Sequence, residues 1–424
     1  METLSPTQVV NLLLAISAMI IIARLLGEAF RYISQPPVIG EILAGVILGP
    51  TILGTMYPEI FQNLFPEEGP VPLALDGFVA VSKILLLFIA GLEVELNIVR
   101  QQGKQTFFTS FFSMLVPFIL GFALPYAFPP IIPEVVGDQV WLFALFMGTS
   151  MSITALPVIA RILIDLGKFK TPMGMIIVSS AMVNDLIGWL VFSIILGMLG
   201  TTVLGMGIGT TIMLTLAFAI LMLTIGKYLI NKVLPLVNTY FSWPGGLLSF
   251  VMALCFLGAA FTELIGIHSI FGAFIVGVAI GDSVHMSDRA KEIIHQFVNN
   301  IFAPLFFVSI GLKVNFVANF DLTIVLLVMI LAFIGKIFGT WIGARMSGFS
   351  SNESLIIGSG MNARGAMEII LGLLALEAGL INEVVFVALV VMALFTSIAS
   401  GPMMDFFLRN ENSTKNVRSG ETLK

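Results

Sequence analysis

Along this chain, long apolar runs alternate with short polar connections. Runs able to cross a bilayer, which takes about 20 residues as a helix, fall near 9–30, 36–50, 78–97, 107–127, 139–165, 172–199, 205–230, 245–263, 267–281, 298–313, 322–346, 354–377 and 383–408. The pattern predicts an all-α polytopic membrane protein of about thirteen transmembrane helices, several short or interrupted. The first run has no basic stretch before it and no small-residue cleavage site after it, so it reads as a retained span. Two spans are broken by polar sequence. The fifth carries Gly-Thr-Ser-Met-Ser-Ile-Thr-Ala-Leu-Pro (148–157), and the twelfth carries Gly-Ser-Gly-Met-Asn-Ala-Arg-Gly (358–365) at the corresponding place in the second half. Proline and glycine free backbone groups that hydrocarbon tolerates only where they line a cavity or another helix. Paired interruptions of this kind point to a transporter's midplane site.

Composition narrows the class. Hydrophobic residues make up 58 % and charged residues 11 % of the chain, with a mean hydropathy of +1.05, which excludes a water-soluble globular protein. A net charge of −5 suggests no nucleic-acid partner. The single Cys255 cannot form an intrachain disulfide. His268, His285 and His295 lack metal-ligand spacing and companion cysteines, so they read as structural or interfacial.

The loops set an orientation. With the N-terminus outside, the cytoplasmic connections carry Arg31, Arg100, Lys104, Arg161, Lys168, Lys170, Lys227, Lys232, Arg289, Lys291 and Arg345, and the tail adds Arg409, Lys415, Arg418 and Lys424. The opposite side carries Lys313 against Glu59, Glu67, Glu68, Asp76, Glu134, Asp138, Glu263, Asp321, Glu377 and Glu383. That asymmetry supports a multi-pass protein of the cell membrane with a cytoplasmic C-terminus.

A weak internal repeat runs through the chain. Gly40, Gly45 and Gly49 match Gly272, Gly277 and Gly281, and Leu-Phe-Ile-Ala-Gly-Leu-Glu-Val (87–94) matches Phe-Val-Ser-Ile-Gly-Leu-Lys-Val (307–314). Six spans per half and one linking span place the halves in opposite orientations, the inverted repeat of many secondary transporters. The expected organisation is a transporter domain over 1–408, with a first repeat at 1–199, a linking helix at 205–230 and a second repeat at 245–408, followed by a short tail at 409–424.

Charges at bilayer depth are costly and usually functional. Asp185, in Val-Ser-Ser-Ala-Met-Val-Asn-Asp-Leu-Ile-Gly-Trp (178–189), lies deep in an apolar stretch of about 28 residues. It can exist as a carboxylate holding a dehydrated monovalent cation or as the neutral acid. Those states exclude each other, which is enough to couple cation movement to proton movement. Asn184, Ser180, Thr154 and Ser152 offer hard oxygens suited to Na+, Li+ or K+. Lys336, Arg364 and Glu368 are the charge-compensating or proton-coupling candidates, Arg364 pairing Glu368 one turn on. Glu93 and Glu95 read as solvated at a span end, Lys83 as reaching for the interface, and Glu41 as a gate or packing residue.

Several of these segments resemble monovalent cation:proton antiporters of the second large family, the sodium/proton or potassium/proton exchangers, in their membrane domain only. The resemblance rests on 35–50 (Gln-Pro-Pro-Val-Ile-Gly-Glu-Ile-Leu-Ala-Gly-Val-Ile-Leu-Gly-Pro), 85–93, 152–163, 183–186, 304–312 and 361–371, in order over nearly the whole chain. It implies a sodium/proton antiporter-type fold with a dimerisation domain, a core domain holding two crossed unwound helices, elevator-like alternating access and a homodimer. It also implies that Asp185 binds the ion, with Asn184 as its partner, Thr154 in the unwound helix and Lys336 as the basic residue that pairs with the site. Electrogenic relatives have two adjacent aspartates where this chain has Asn184-Asp185. Electroneutral ones have a glutamate at the position of Ser180. One titrating carboxylate favours one cation per proton. The expected function is therefore secondary antiport of Na+, or of K+ or Li+, for H+, with no cofactor beyond the transported ions and no enzymatic activity. A channel-like efflux pore and an organic-solute symporter on the same scaffold are the alternatives.

Overall fold

The computed structural model describes residues 4–33, 35–94, 96–137, 139–199 and 208–419. Among them there is no strand. Helices follow as α1 (Pro6–Tyr32), α2 (Pro37–Leu48), α3 (Leu53–Met56), α4 (Pro58–Leu64), α5 (Pro70–Leu92), α6 (Leu96–Ala127), α7 (Val140–Ser152), α8 (Leu156–Asp165), α9 (Pro172–Met198) and α10 (Ile208–Leu221). The series continues with α11 (Lys227–Tyr240), α12 (Gly245–Leu264), α13 (Ser269–Gly281), α14 (Asp288–Phe297), α15 (Ala303–Lys313), α16 (Leu322–Met346), α17 (Ser351–Met361), α18 (Ala366–Glu377) and α19 (Glu383–Ser419).

Eleven helical stretches among the described residues are long and apolar enough to cross a membrane, and Ser269–Gly281 is a shorter apolar helix. The fifth and twelfth runs are each divided, into α7 and α8 and into α17 and α18. Several boundaries differ from the apolar pattern, the run near 78–97 forming a helix over Pro70–Leu92. The run near 298–313 extends back to Asp288, because polar α14 continues through a π-helical turn at Val298–Phe302 into α15. The linking run continues to Tyr240 through a π-helical turn at Met222–Gly226, since Lys227, Asn231 and Lys232 interrupt hydropathy but not the helix. Residues 205–207 of that run, Glu95 and Lys424 lie outside the described residues.

The chain divides into two units, Met1–Glu95 with Leu196–Asn319, and Leu96–Ile195 with Phe320–Lys424, each taking one stretch from either half of the sequence. In the first unit α2 lies on α15 and α5 on α13. Both contacts are backbone to backbone. A Cβ on Gly45 would overlap the Val308 carbonyl oxygen, one on Gly311 the Gly45 carbonyl carbon, and one on Gly91 the Phe274 carbonyl oxygen. The two sequence motifs thus meet crosswise: each glycine segment packs on the other half's Gly-Leu motif. Small residues allow this approach, and van der Waals contact then holds helices that lipid cannot drive together. Ala15, Met19 and Ala23 of α1 close the cluster against Ala44, Leu48, Leu305 and Val308, and Glu41 of α2 packs near Gly27 of α1.

Glu93, just beyond the last residue of α5, does not stand in open solvent. Its carboxylate lies 3.7 Å from His295 Nε2, with 28 % of the side chain exposed. Burial pushes its pKa up to about 7, with Lys291 pulling it down. In the second unit α6 runs along α16, where Gly335, Gly339 and Gly343 face Pro117, Phe112 and Phe108. There α17 packs on α16 and α19, and α18 on α19.

Two outcomes are expected. Gly311→Ala forces two backbones apart and costs about 1–3 kcal/mol, read as a lower thermal unfolding midpoint in detergent, whereas Gly77→Ala, which meets nothing within 4 Å, leaves it unchanged. Glu93 keeps its proton in the folded chain to about pH 7 but in the unfolded chain only to its ordinary 4.5. The folded state therefore binds more protons, and stability from this group falls as pH rises through that window. Glu93→Gln should gain unfolding midpoint on the parent between pH 5 and pH 8; an equal offset at both pH values would refute this assignment.

Candidate ion-binding site

The site is built in the second unit from two broken helices. Helix α7 stops at Ser152, and Ile153 and Ala155 are extended. The chain becomes helical again at Leu156 because Pro157, in the first turn of α8, needs no hydrogen-bonded N–H there. Helix α17 stops at Met361, and α18 begins after extended Gly365. The two non-helical segments are stitched together: the Ala155 N–H donates to the Ala363 carbonyl at 2.9 Å, and Thr154 Oγ1 donates to the Met361 carbonyl at 3.1 Å.

A helix that ends inside hydrocarbon leaves carbonyls without partners and a partial negative charge at its carboxyl end. Here side-chain cations satisfy the last turn of α7. Arg364 Nη1 donates to the Ser150 carbonyl at 2.9 Å, Arg364 Nη2 to the Met151 carbonyl, and Lys336 Nζ to the Ser152 carbonyl. Arg364 also pairs Glu368 Oε1 at 3.1 Å, which accepts from Ser150 Oγ at 3.2 Å. Ser397 Oγ donates to the Arg364 carbonyl. Arg364, Lys336 and Glu368 are all buried.

On α9, Asn184 and Asp185 face this arrangement, and Asp185, Arg364 and Glu368 are the charges that act on the Lys336 ammonium. Asn184 is fully buried. One amide orientation satisfies both ends: the nitrogen donates to the carbonyls of Ser180 at 3.2 Å and Ser110 at 3.3 Å, and the oxygen accepts from Ser113 Oγ at 2.9 Å and Lys336 Nζ at 3.2 Å. We assign that orientation from the hydrogen-bond network. Ser152 Oγ donates to the carbonyls of Gly148 at 2.7 Å and Met114 at 3.0 Å. Ser180 Oγ has no hydrogen-bond partner among the described residues. A cavity of about 360 Å³ in this unit is bordered by Ser110, Met114 and Phe118 of α6, Thr149 and Ser152 of α7, and Val183 of α9.

This geometry agrees with comparison to known proteins, where a sodium/hydrogen exchanger transmembrane profile matches residues 14–410. The chain belongs to the sodium/hydrogen exchanger family. It is 34 % identical over 93 % of its length to the Na(+)/H(+) antiporter NhaS4 of Synechocystis sp., covering 97 % of that protein. It is 31 % identical to Cation/H(+) antiporter 17 of Arabidopsis thaliana over 93 % of its length, and spans about half of that relative (48 %). The structure of the sodium proton antiporter MjNhaP1 from Methanocaldococcus jannaschii superposes with a TM-score of 0.62, covering 94 % of this chain and 98 % of that one at 15 % identity, so this exchanger shares its fold.

The exchanger thus brings together the sequence candidates Lys336, Ser152 and Asn184 in one network, and Arg364, Glu368 and the α7 carbonyls in another. Sequence reasoning missed Ser110 and Ser113, which hold the Asn184 amide, and Ser150, which binds Glu368. The signal was present: Thr106, Thr109, Ser110 and Ser113 recur at helical spacing in an apolar span, and Thr106 and Ser179 hydroxyls meet at 2.7 Å between α6 and α9. Asn362, inside the flagged polar run and fully buried, has neither amide atom hydrogen-bonded among the described residues.

Removing one partner from a buried charged network leaves the others uncompensated, at about 3–5 kcal/mol. Arg364→Gln and Glu368→Gln should therefore each lower the unfolding midpoint, and Arg364→Gln further, because it also frees the carbonyls of Ser150 and Met151. Equal midpoints for the two variants would show that Arg364 does not cap α7.

Proposed function

We propose that this exchanger is a secondary antiporter that moves a monovalent cation one way and H+ the other by alternating access, with Asp185 binding the cation and the proton in turn. The observation that carries the reading is the buried ammonium of Lys336 on the open carboxyl end of α7. An ammonium and an alkali cation seek the same hard oxygens. Lys336 is in effect a tethered cation seated on the Ser152 carbonyl, close to Asp185. An incoming ion that takes that carbonyl and the Asp185 carboxylate displaces it, so the cation and the proton compete for one set of oxygens and charges. Thr154 stands in the same crossing, and Ser180 on α9 is a further oxygen for the cation. Asn184 acts on the other partner, keeping its oxygen toward Lys336.

Na+ is the first cation to test, because similar proteins with near-complete mutual coverage are named Na(+)/H(+) antiporters; K+ and Li+ follow. The one-sided Lys and Arg distribution supports an external N-terminus and a cytoplasmic C-terminus in a cell membrane. The crosswise packing of the matched motifs supports the inverted repeat, and a homodimer is the proposed assembly.

The test is cation-induced pH change in proteoliposomes, with membrane potential clamped, for Na+, K+ and Li+. Proton flux is expected with at least one cation and should be lost in folded Asp185→Asn. Lys336→Ala should shift the pH profile of whatever flux remains. Coupled flux in Asp185→Asn would overturn the mechanism, and cation passage without proton counterflow would favour a channel.

A further inference from the structure

On the second unit, α16, the helix that carries Lys336, and α17 enclose an apolar groove of about 500 Å³ lined by Phe333, Ile334, Ile337, Phe338, Trp341 and Leu355. Ile334 and Phe338 are more than half exposed, and Phe338 stacks on Trp341 with rings 6.0 Å apart. One end of the groove is polar. Trp341 Nε1 donates to Ser351 Oγ at 3.2 Å, which fixes the indole at the start of α17. Tryptophan with its N–H toward the polar side and its ring in hydrocarbon marks the headgroup level of a bilayer.

Arg345 stands one turn further along. Positions 334, 338, 341 and 345 share one face of α16. Arg345 Nη1 donates to the Phe349 carbonyl at 2.7 Å, which ties the guanidinium to the connection that leads into Ser351. That bond engages one of five N–H donors, and among the described residues Arg345 has no acidic partner. The nearby acid on α17, Glu353, is held in a capping box by the Ser350 N–H at 2.8 Å, where the helix amino end offsets its charge.

We propose that this groove binds one anionic phospholipid, with an acyl chain along Ile334, Phe338 and Leu355 and the phosphate on Arg345. Charge complementarity selects the occupant. A neutral lipid or an apolar protein helix would fill the groove but leave the guanidinium at its mouth unanswered, whereas a phosphodiester matches its planar fork. The loop-charge asymmetry puts Arg345 on the cytoplasmic side, where anionic lipids concentrate in cell membranes, and basic pockets between helices on that side suit such headgroups.

Trp341 is its own reporter. The chain is placed in vesicles containing brominated phosphatidylglycerol or brominated phosphatidylcholine, and the Trp341 share of quenching is taken as the difference from Trp341→Phe. Stronger quenching by the anionic lipid is expected, equivalent to about a fivefold preference for one basic contact. Arg345→Gln should abolish the preference while leaving acyl-chain quenching. Leu355→Phe, which narrows the groove without touching Arg345, should reduce quenching by both lipids. Equal quenching by the two lipids in the parent chain, or a preference that survives Arg345→Gln, would overturn the proposal. Absence of Trp341 quenching by either lipid would also overturn it, since the groove would then be covered by protein.

Discussion

Carbonyl groups released where α7 breaks inside hydrocarbon constrain the rest of the core unit. Water cannot satisfy them there, and each such group left unpaired costs several kcal/mol. The chain answers with its own cations: Arg364 on the carbonyls of Ser150 and Met151, and Lys336 on that of Ser152. Charges so deep need their own balance, which Glu368 gives to Arg364 directly and Asp185 gives to Lys336 through the shared field. The short list of intramembrane charges is thus a consequence of breaking a helix. One of the two caps is a permanent charge, since a guanidinium does not deprotonate. The other is a lysine, which can.

The first unit follows a different logic. Its helices meet through glycine, with α2 on α15 and α5 on α13 in backbone contact. Such contacts admit no side chain and therefore no gradual adjustment. They make a stiff frame with few polar requirements, and Glu93 and His295 meet near helix ends. Each glycine segment packs on the opposite half's matched motif, so the same pair of motifs in both halves of the sequence completes both contacts.

Much of this was legible in the sequence, for stated reasons. Breaks in the fifth and twelfth spans were readable because Pro157 and the glycines of 358–365 are local signals with local consequences. Arg364 with Glu368 was readable from an i, i+4 spacing. Extents at Asp288 and Tyr240 were not, because hydropathy ends where a helix becomes polar and the backbone need not. Glu93 was placed in solvent since only tertiary structure brings His295 to it. The partners of Asn184 were hidden for the same reason: Ser110 and Ser113 lie more than 70 positions away, and hydroxyls in a membrane helix usually bond their own preceding turn, as Ser110 also does to Thr106.

That network also gives a physical reason for an asparagine beside Asp185 in this chain. The nitrogen end of the Asn184 side chain faces two backbone carbonyls, those of Ser180 and Ser110. A carboxylate there would set an acceptor against two acceptors inside hydrocarbon, whereas an amide donates to both and still turns its oxygen to Lys336. The hydroxyl of Ser113 fits because it can donate to that oxygen. Local backbone geometry therefore favours a neutral group beside Asp185 in this chain. Asp185 is then the single carboxylate on α9.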